Sequence, residues 1–200
     1  MQRVRITAET CPHYLVFNED DFLSKGMFFK CAPPLRSKEA SNMLWRYILD
    51  GTLDLVVSDH SPCADTEKSE TEGAFHALGG ISGIQTGLQV MFHEIVSKRK
   101  WSPTLISRLM ARNPAHIFGM KGKKGELTLG YDVDFVLVDP NASWEISADN
   151  LKYLNQSSAF IGYKGTGRPV CTILRGNVVA EDGIVKGKYG FGRFIRRWDQ

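Results

Sequence analysis

No apolar run in the 200-residue chain approaches the roughly 20 residues needed to cross a bilayer, so no helical membrane span is expected. Met1 to Arg5 lacks the apolar core of a secretory signal. Cysteine is scarce: Cys11, Cys31, Cys63 and Cys171 stand far apart with no CxxC pair, which reads as free thiols in a reducing compartment. Charge of one sign is also missing. The net charge is only +3, and the basic residues are dispersed except at the tail, where Arg193, Arg196 and Arg197 cluster. Neither nucleic acid nor a membrane is therefore expected as a partner. No internal repeat or low-complexity segment is evident. What is left is a soluble intracellular protein, cytoplasmic or, in a eukaryote, peroxisomal or mitochondrial. Its 42% hydrophobic content suffices for one globular domain or one and a half small ones.

The most informative stretch is Leu53 to Pro62, LDLVVSDHSP. Leu53, Leu55, Val56 and Val57 form a short apolar run, entered through Gly51, that ends in the carboxylate of Asp59. Length and composition predict a buried strand. In parallel α/β sheets and barrels the chemistry sits where strands end at their carboxyl side, which is where Asp59 stands. For an isolated SDH, a turn capped by Asp59 would be the plainer reading. A second strand ending in the same style weighs against it. Val4 to Cys11 stops at Pro12, which cannot continue a central ladder, and presents His13.

Along the chain a helical turn is expected over Asp20–Lys25, a strand over Met27–Cys31 stopped by Pro33-Pro34, and an amphipathic helix over Lys38–Leu49. This order is the rhythm of parallel βα units. Pro62 to Ala77 is polar and reads as a flexible loop over the strand ends. Gly79, Gly80 and Gly83 precede a helix over Ile84–Lys98. A further helix, Pro103–Phe118, is capped by Ser102 and carries a kink or break at Asn113-Pro114. From Gly125 the texture changes to short strands, Gly125–Asp139, Val170–Arg175 and Asn177–Val185, with a hairpin turn at Arg175-Gly176-Asn177. A Gly-rich aromatic connector, Phe160–Gly167, lies between them. The division expected is 1–122 for the βα part and 123–200 for a small antiparallel β module.

His13 and Asp59 are residue types that bind zinc and related ions at catalytic sites, although two ligands alone hold a metal weakly. Here a family resemblance adds to the spacing. TAETCPHYL at 7–15, KCAPPLR at 30–36, LVVSDHSPC at 55–63 and GGISGIQ at 79–85 resemble consecutive motifs of the cyclic amidohydrolases. NPAHIFG at 113–119 and GELTLGYDVDFVLVD at 125–139 resemble their continuation. The resemblance implies an α/β fold, a partial TIM-type (β/α) barrel comprising about the last three βα units, plus a small carboxyl-terminal β module. It implies a metal-dependent opening of a cyclic amide. The ring it points to is allantoin, a cyclic ureide, opened to allantoate; a dihydropyrimidine or dihydroorotate ring is the alternative, and a non-catalytic interaction module is the other.

By the same resemblance His13 matches a metal-binding histidine after the sixth barrel strand. Asp59 matches the aspartate after the eighth, which binds metal and handles the proton of the attacking water. Ala32 and Ser82 fall where related hydrolases hold the ring imide through main-chain groups, and Ser61 lines the pocket. The cofactor implied is a divalent metal pair, zinc first, with manganese or cobalt as substitutes. The complete enzyme is expected to be a homo-oligomer, a tetramer. The family's HxH pair after the first strand, its carboxylated lysine after the fourth and its histidine after the fifth have no counterpart here, so the chain reads as a carboxyl-terminal portion, inactive alone. Of the other histidines, His60 can orient Asp59 or touch substrate, while His76, His93 and His116 read as structural or surface residues. Cys31 and Cys63 stand near the strand ends, and the tryptophans read as packing residues.

Overall fold

Gly51 closes one helix in the left-handed conformation (φ 83°), and a short turn leads from it into a strand that ends three residues before Asp59. The computed structural model describes residues 6–69, 71 and 73–196. Val4 and Arg5 of the first expected strand, and Arg197 and Trp198 at the tail, lie outside them. The chain divides into two compact units, residues 1–87 with 145–164, and residues 88–144 with 165–200.

In the first unit β1 (Glu9–Thr10) and β2 (Leu55–Val56) pair in parallel, with Glu9 opposite Leu55 and Thr10 opposite Val56. Backbone bonds on either side, Asp54 N to Ala8 O at 2.8 Å and Val57 N to Thr10 O at 2.9 Å, lengthen the ladder. Pro12 then opens a one-turn helix, α1 (Pro12–Val16), with Cys11 as its N-cap. A proline fits there because the first helical N–H has no partner to lose. Asn18 caps α2 (Glu19–Lys25), its side chain accepting from Asp20 N at 2.8 Å. Next comes α3 (Lys38–Asp50), which buries Ser41, Trp45 and Ile48 on one face. That face docks on α1: Ser41 Oγ donates to Tyr14 O at 2.7 Å and Trp45 Nε1 to Leu15 O at 3.0 Å. The returning segment 145–164 completes this core with Ile146, Leu151 and Phe160, all about 1% exposed.

The strand expected over Met27–Cys31 is a 3₁₀ turn, Met27–Phe29. Its aromatic composition suits a strand, but Gly26 reverses the backbone (φ 81°) and Phe29 packs edge-on against Phe17, 4.9 Å between ring centres. Tertiary packing has overridden local propensity. Among the described residues the parallel part therefore holds one pair of strands, β1 beside β2, with nothing between. The loop 62–77 also contains order, a 3₁₀ turn at Asp65–Lys68.

The second unit opens with α4 (Gly87–Phe92), which widens into a π-helical turn at His93–Lys98. Then α5 (Thr104–Ser107), a π turn (Arg108–Arg112) and α6 (Asn113–Ile117) form one helical run. The Asn113-Pro114 pair marks a change of winding rather than a break. Residues 125–134, where a strand was expected, are turns fastened by Lys124 to Asp132 (2.7 Å) and to Asp134. The sheet follows in the order β3 (Phe135–Glu145), β4 (Lys164–Leu174), β5 (Asn177–Glu181), β6 (Ile184–Val185). The connector expected at Phe160–Gly167 thus ends within β4. Arg175-Gly176 and Asp182-Gly183 turn the last two hairpins with both central residues at positive φ, the twist-matched geometry for two-residue loops.

Gly167 is required by both backbone and space. Its φ is 93°, and a methyl group there would overlap the Phe92 ring. Gly190 also has positive φ (75°), yet a methyl would meet nothing within 4 Å. Gly167→Ala should therefore cost about 3 kcal/mol or more in urea unfolding, combining strain with overpacking. Gly190→Ala should cost about 1 kcal/mol, from strain alone. Equal losses would show that the Phe92 contact is not a packing constraint.

Candidate metal centre

Parallel pairing of β1 with β2 brings their carboxyl ends side by side, and three side chains meet there. One donor atom each from Cys11, His13 and Asp59 lies within 4.8 Å of the others. Cys11 follows β1 directly, His13 sits in the first turn of α1, and Asp59 stands three residues beyond β2. Asp59 holds a left-handed backbone (φ 42°), a conformation that costs a non-glycine residue energy and is enriched at functional sites. Asp59 is exposed, whereas Cys11 and His13 are 6% and 1% exposed.

Burial sets the charge of this group. It lowers the His13 pKa to about 4, so the imidazole is neutral at pH 7. Both His13 ring nitrogens are buried and meet no hydrogen-bond partner among the described residues. A buried polar atom without a partner is costly, and a neutral imidazole has a lone pair to give. Burial raises the Cys11 thiol to about 12, with Asp59 adding to the rise. It is therefore not a free thiolate nucleophile. An imidazole and a carboxylate are donors that zinc accepts, Cys11 would join them only by giving up its proton to the ion, and the orphaned nitrogens give an ion something to satisfy.

The resemblance had set His13 after the sixth strand and Asp59 after the eighth, which needs a strand between them. The strand meant to fill that place, Met27–Cys31, is a turn, and β1 is hydrogen-bonded directly to β2. His13 and Asp59 thus come from neighbouring strands, and His13 precedes Asp59 by one strand, not two.

The other expected residues gather at an adjoining backbone junction. Ser61 N donates to Ile81 O at 3.2 Å, and His60 bridges Ile81 in parallel, which sets Ser61 beside Ser82. Gly79 faces Ala32: a methyl on it would lie 3.6 Å from the Ala32 nitrogen. Ser82 is buried, and its carbonyl accepts from Ser158 Oγ at 2.5 Å. Tyr14 links the two groups, its ring tilted at 56° to that of His13 with centres 4.2 Å apart and its hydroxyl donating to Pro33 O at 2.7 Å. His60 is engaged on its Nδ1 side by the backbone that follows Ser82. Its Nδ1 accepts from Gly83 N at 3.2 Å and its ring lies 4.9 Å from Tyr153. His93 accepts from Thr166 N and His116 meets Glu126, both within the second unit. Sequence reasoning missed Cys11 as a member of the cluster, although the Cys-Pro-His spacing was a signal. It missed Tyr153 and Ser158 altogether, and nothing local marks them.

The orphaned imidazole makes stability depend on pH. The folded His13 pKa lies below its unfolded value of 6.5, so between about 6.5 and 4 the unfolded chain binds more protons and stability falls as pH falls. The contribution is complete above pH 6.5 and amounts to roughly 3 kcal/mol. Metal-free chain should lose most of it between pH 6.5 and 4 in urea unfolding. His13→Gln should flatten that dependence, and an unchanged slope would mean that His13 is not buried as a neutral base.

Residues 20–179 match the model of the amidohydrolase family. Allantoinase of Escherichia coli O139:H28 is 41% identical over 174 residues, covering 87% of this chain and 38% of the relative. Among solved structures, the L-hydantoinase (dihydropyrimidinase) of Arthrobacter aurescens superimposes with TM-score 0.91 at 34% identity, over 96% of this chain and 43% of that one. The dihydropyrimidinase of Brevibacillus agri NCHU1002 does so with TM-score 0.90 at 28% identity, over 96% and 42%. The chain thus spans about two fifths of the length of the relatives it matches. Family match, sequence identity and fold agree: this chain belongs to the amidohydrolase family.

Proposed function

We propose that this chain is the carboxyl-terminal part of a metal-dependent cyclic amidohydrolase that opens allantoin to allantoate. The observation that carries the reading is the convergence of Asp59, His13 and Cys11 at the carboxyl ends of two parallel strands, in a chain 41% identical to an allantoinase. β1 and β2 are read as the last two strands of a (β/α) barrel, residues 1–122 as its closing portion and 123–200 as the terminal β module.

Asp59 and His13 are the donors this chain would offer a metal pair, zinc first, with the remaining ligands supplied by the rest of a longer protein. A divalent ion bound there supplies Lewis-acid polarisation of the ring amide and lowers the pKa of water. Asp59, exposed and at the mouth of the cluster, takes the proton from the attacking water and returns it to the leaving ring nitrogen. His13, held neutral by burial, donates a lone pair rather than a proton. Main-chain groups at Ala32 and Ser82 hold the ring imide, and Ser61 lines the pocket beside them. The likeness to hydantoinases supports a second reading, in which the ring is a hydantoin or dihydropyrimidine.

The catalytically complete protein carrying this chain should turn over allantoin with a higher kcat/KM than hydantoin, dihydrouracil or dihydroorotate. Preference for hydantoin or dihydrouracil would move the assignment to the second reading. Asp59→Asn should lower kcat by about 10³-fold or more, since it removes both a ligand and the proton carrier. Residues 1–200 alone should show no allantoate formation with zinc, manganese or cobalt, and gain it only when an amino-terminal half from a related enzyme is added. Metal-dependent turnover by the isolated chain would overturn the account of missing ligands.

A further inference from the structure

Lys68 is a buried cation with no role in the chemistry above. It ends the 3₁₀ turn Asp65–Lys68, is 3% exposed, and makes no ion pair with a carboxylate among the described residues. Such a residue is rarely buried unless its ammonium is satisfied. Here two main-chain carbonyls do so: Lys68 Nζ donates to Lys30 O at 2.9 Å and to Gly80 O at 2.6 Å. The titratable groups facing it are Cys31, Cys63 and Lys30, none of them an acid that pairs with it.

The two carbonyls belong to the segments that lead into Ala32 and Ser82. Their backbones already touch, Gly80 N donating to Lys30 O at 3.0 Å. Little room exists for slippage. A methyl on Gly80 would overlap Ser61, and one on Gly79 would rest against Ala32. The tie is reciprocal as well. Lys30 Nζ reaches the carbonyls of Ala74 and Ala77 in the loop that carries Lys68, and Leu78 N donates to Glu67 O at 2.8 Å. Each lysine therefore fastens the other's segment. The described residues of the polar stretch, 62–69, 71 and 73–77, form a brace whose buried end holds two backbone strips together.

We infer that Lys68 is a positioning residue of the ring-binding backbone, its ammonium clamping the strip before Ala32 to the strip before Ser82 so that their main-chain groups stay spaced for a planar imide. This rests on the reading that Ala32 and Ser82 hold the ring. A side chain that sets spacing without touching the reacting atoms acts on binding more than on chemistry.

Two measurements test it. In the catalytically complete protein, Lys68→Met should raise the KM for allantoin about tenfold or more, with kcat down less than about threefold and metal content unchanged. Lys68→Arg, which keeps charge and donors, should recover part of the loss. In residues 1–200, amide hydrogen exchange at Gly80 should quicken about tenfold or more in Lys68→Met, while the Val57 amide, bonded to Thr10 O, keeps its wild-type rate. If Lys68→Met does not fold, Lys68→Gln, uncharged with two N–H donors, takes its place in both measurements. An unchanged KM, a fall in kcat and metal content without a rise in KM, or unaltered exchange at Gly80 would overturn the proposal. If the complete protein does not open allantoin, the function reading fails, and exchange at Gly80 alone decides the clamp.

Discussion

The parallel, in-register pairing of Glu9–Thr10 with Leu55–Val56 is the constraint on which the candidate site depends. Side chains alternate along a strand, and a slip of one residue would turn each of them to the other face. With Thr10 opposite Val56, the two strands end together and the residues that follow, Cys11, His13 and Asp59, bring their donor atoms within 4.8 Å. Nothing in the chain between them need be catalytic for this to hold. The helix α3, docked by Ser41 and Trp45 on the carbonyls of α1, fixes α1 and so fixes His13.

The electrostatics of the cluster follow from its depth. One carboxylate faces solvent, and behind it stand an imidazole and a thiol that burial keeps neutral. A site arranged this way has negative charge only at its mouth, with lone pairs rather than charges behind. Such a site loses stability on acidification, because the imidazole must then carry a charge where it is buried. The backbone junction beside it uses the opposite device. In the strips that lead into Ala32 and Ser82 two main-chain carbonyls, those of Lys30 and Gly80, accept from the ammonium of Lys68.

Much of this was readable from residue order. Short apolar runs stopped by polar residues predict a strand over Leu53–Ser58, of which the centre, Leu55–Val56, is one, and Pro12 predicts where the earlier strand stops. Helical spacing finds Lys38–Asp50 because its buried face is set by local periodicity. Arg175-Gly176 is legible as a hairpin because Gly176 tolerates the positive φ that such a turn requires at its second central position. The family motifs carry the reaction class, since the residue types that bind metal and move protons recur at the ends of strands.

The rest was decided by contacts distant in sequence. Met27–Phe29 has a strand's composition, yet the packing of Phe29 on Phe17 and the reversal at Gly26 make it a turn, which removes a strand from between His13 and Asp59. Cys11 entered the metal-capable group only because β1 and β2 pair, and Lys68 was one lysine among many until the fold buried it against Lys30 and Gly80. Sequence alone determined which residues could bind a metal or end a strand, for these are properties of side chains and local backbone. Tertiary structure decided which of them stand together, because burial and strand register join residues some 40 to 50 positions apart that no local pattern links.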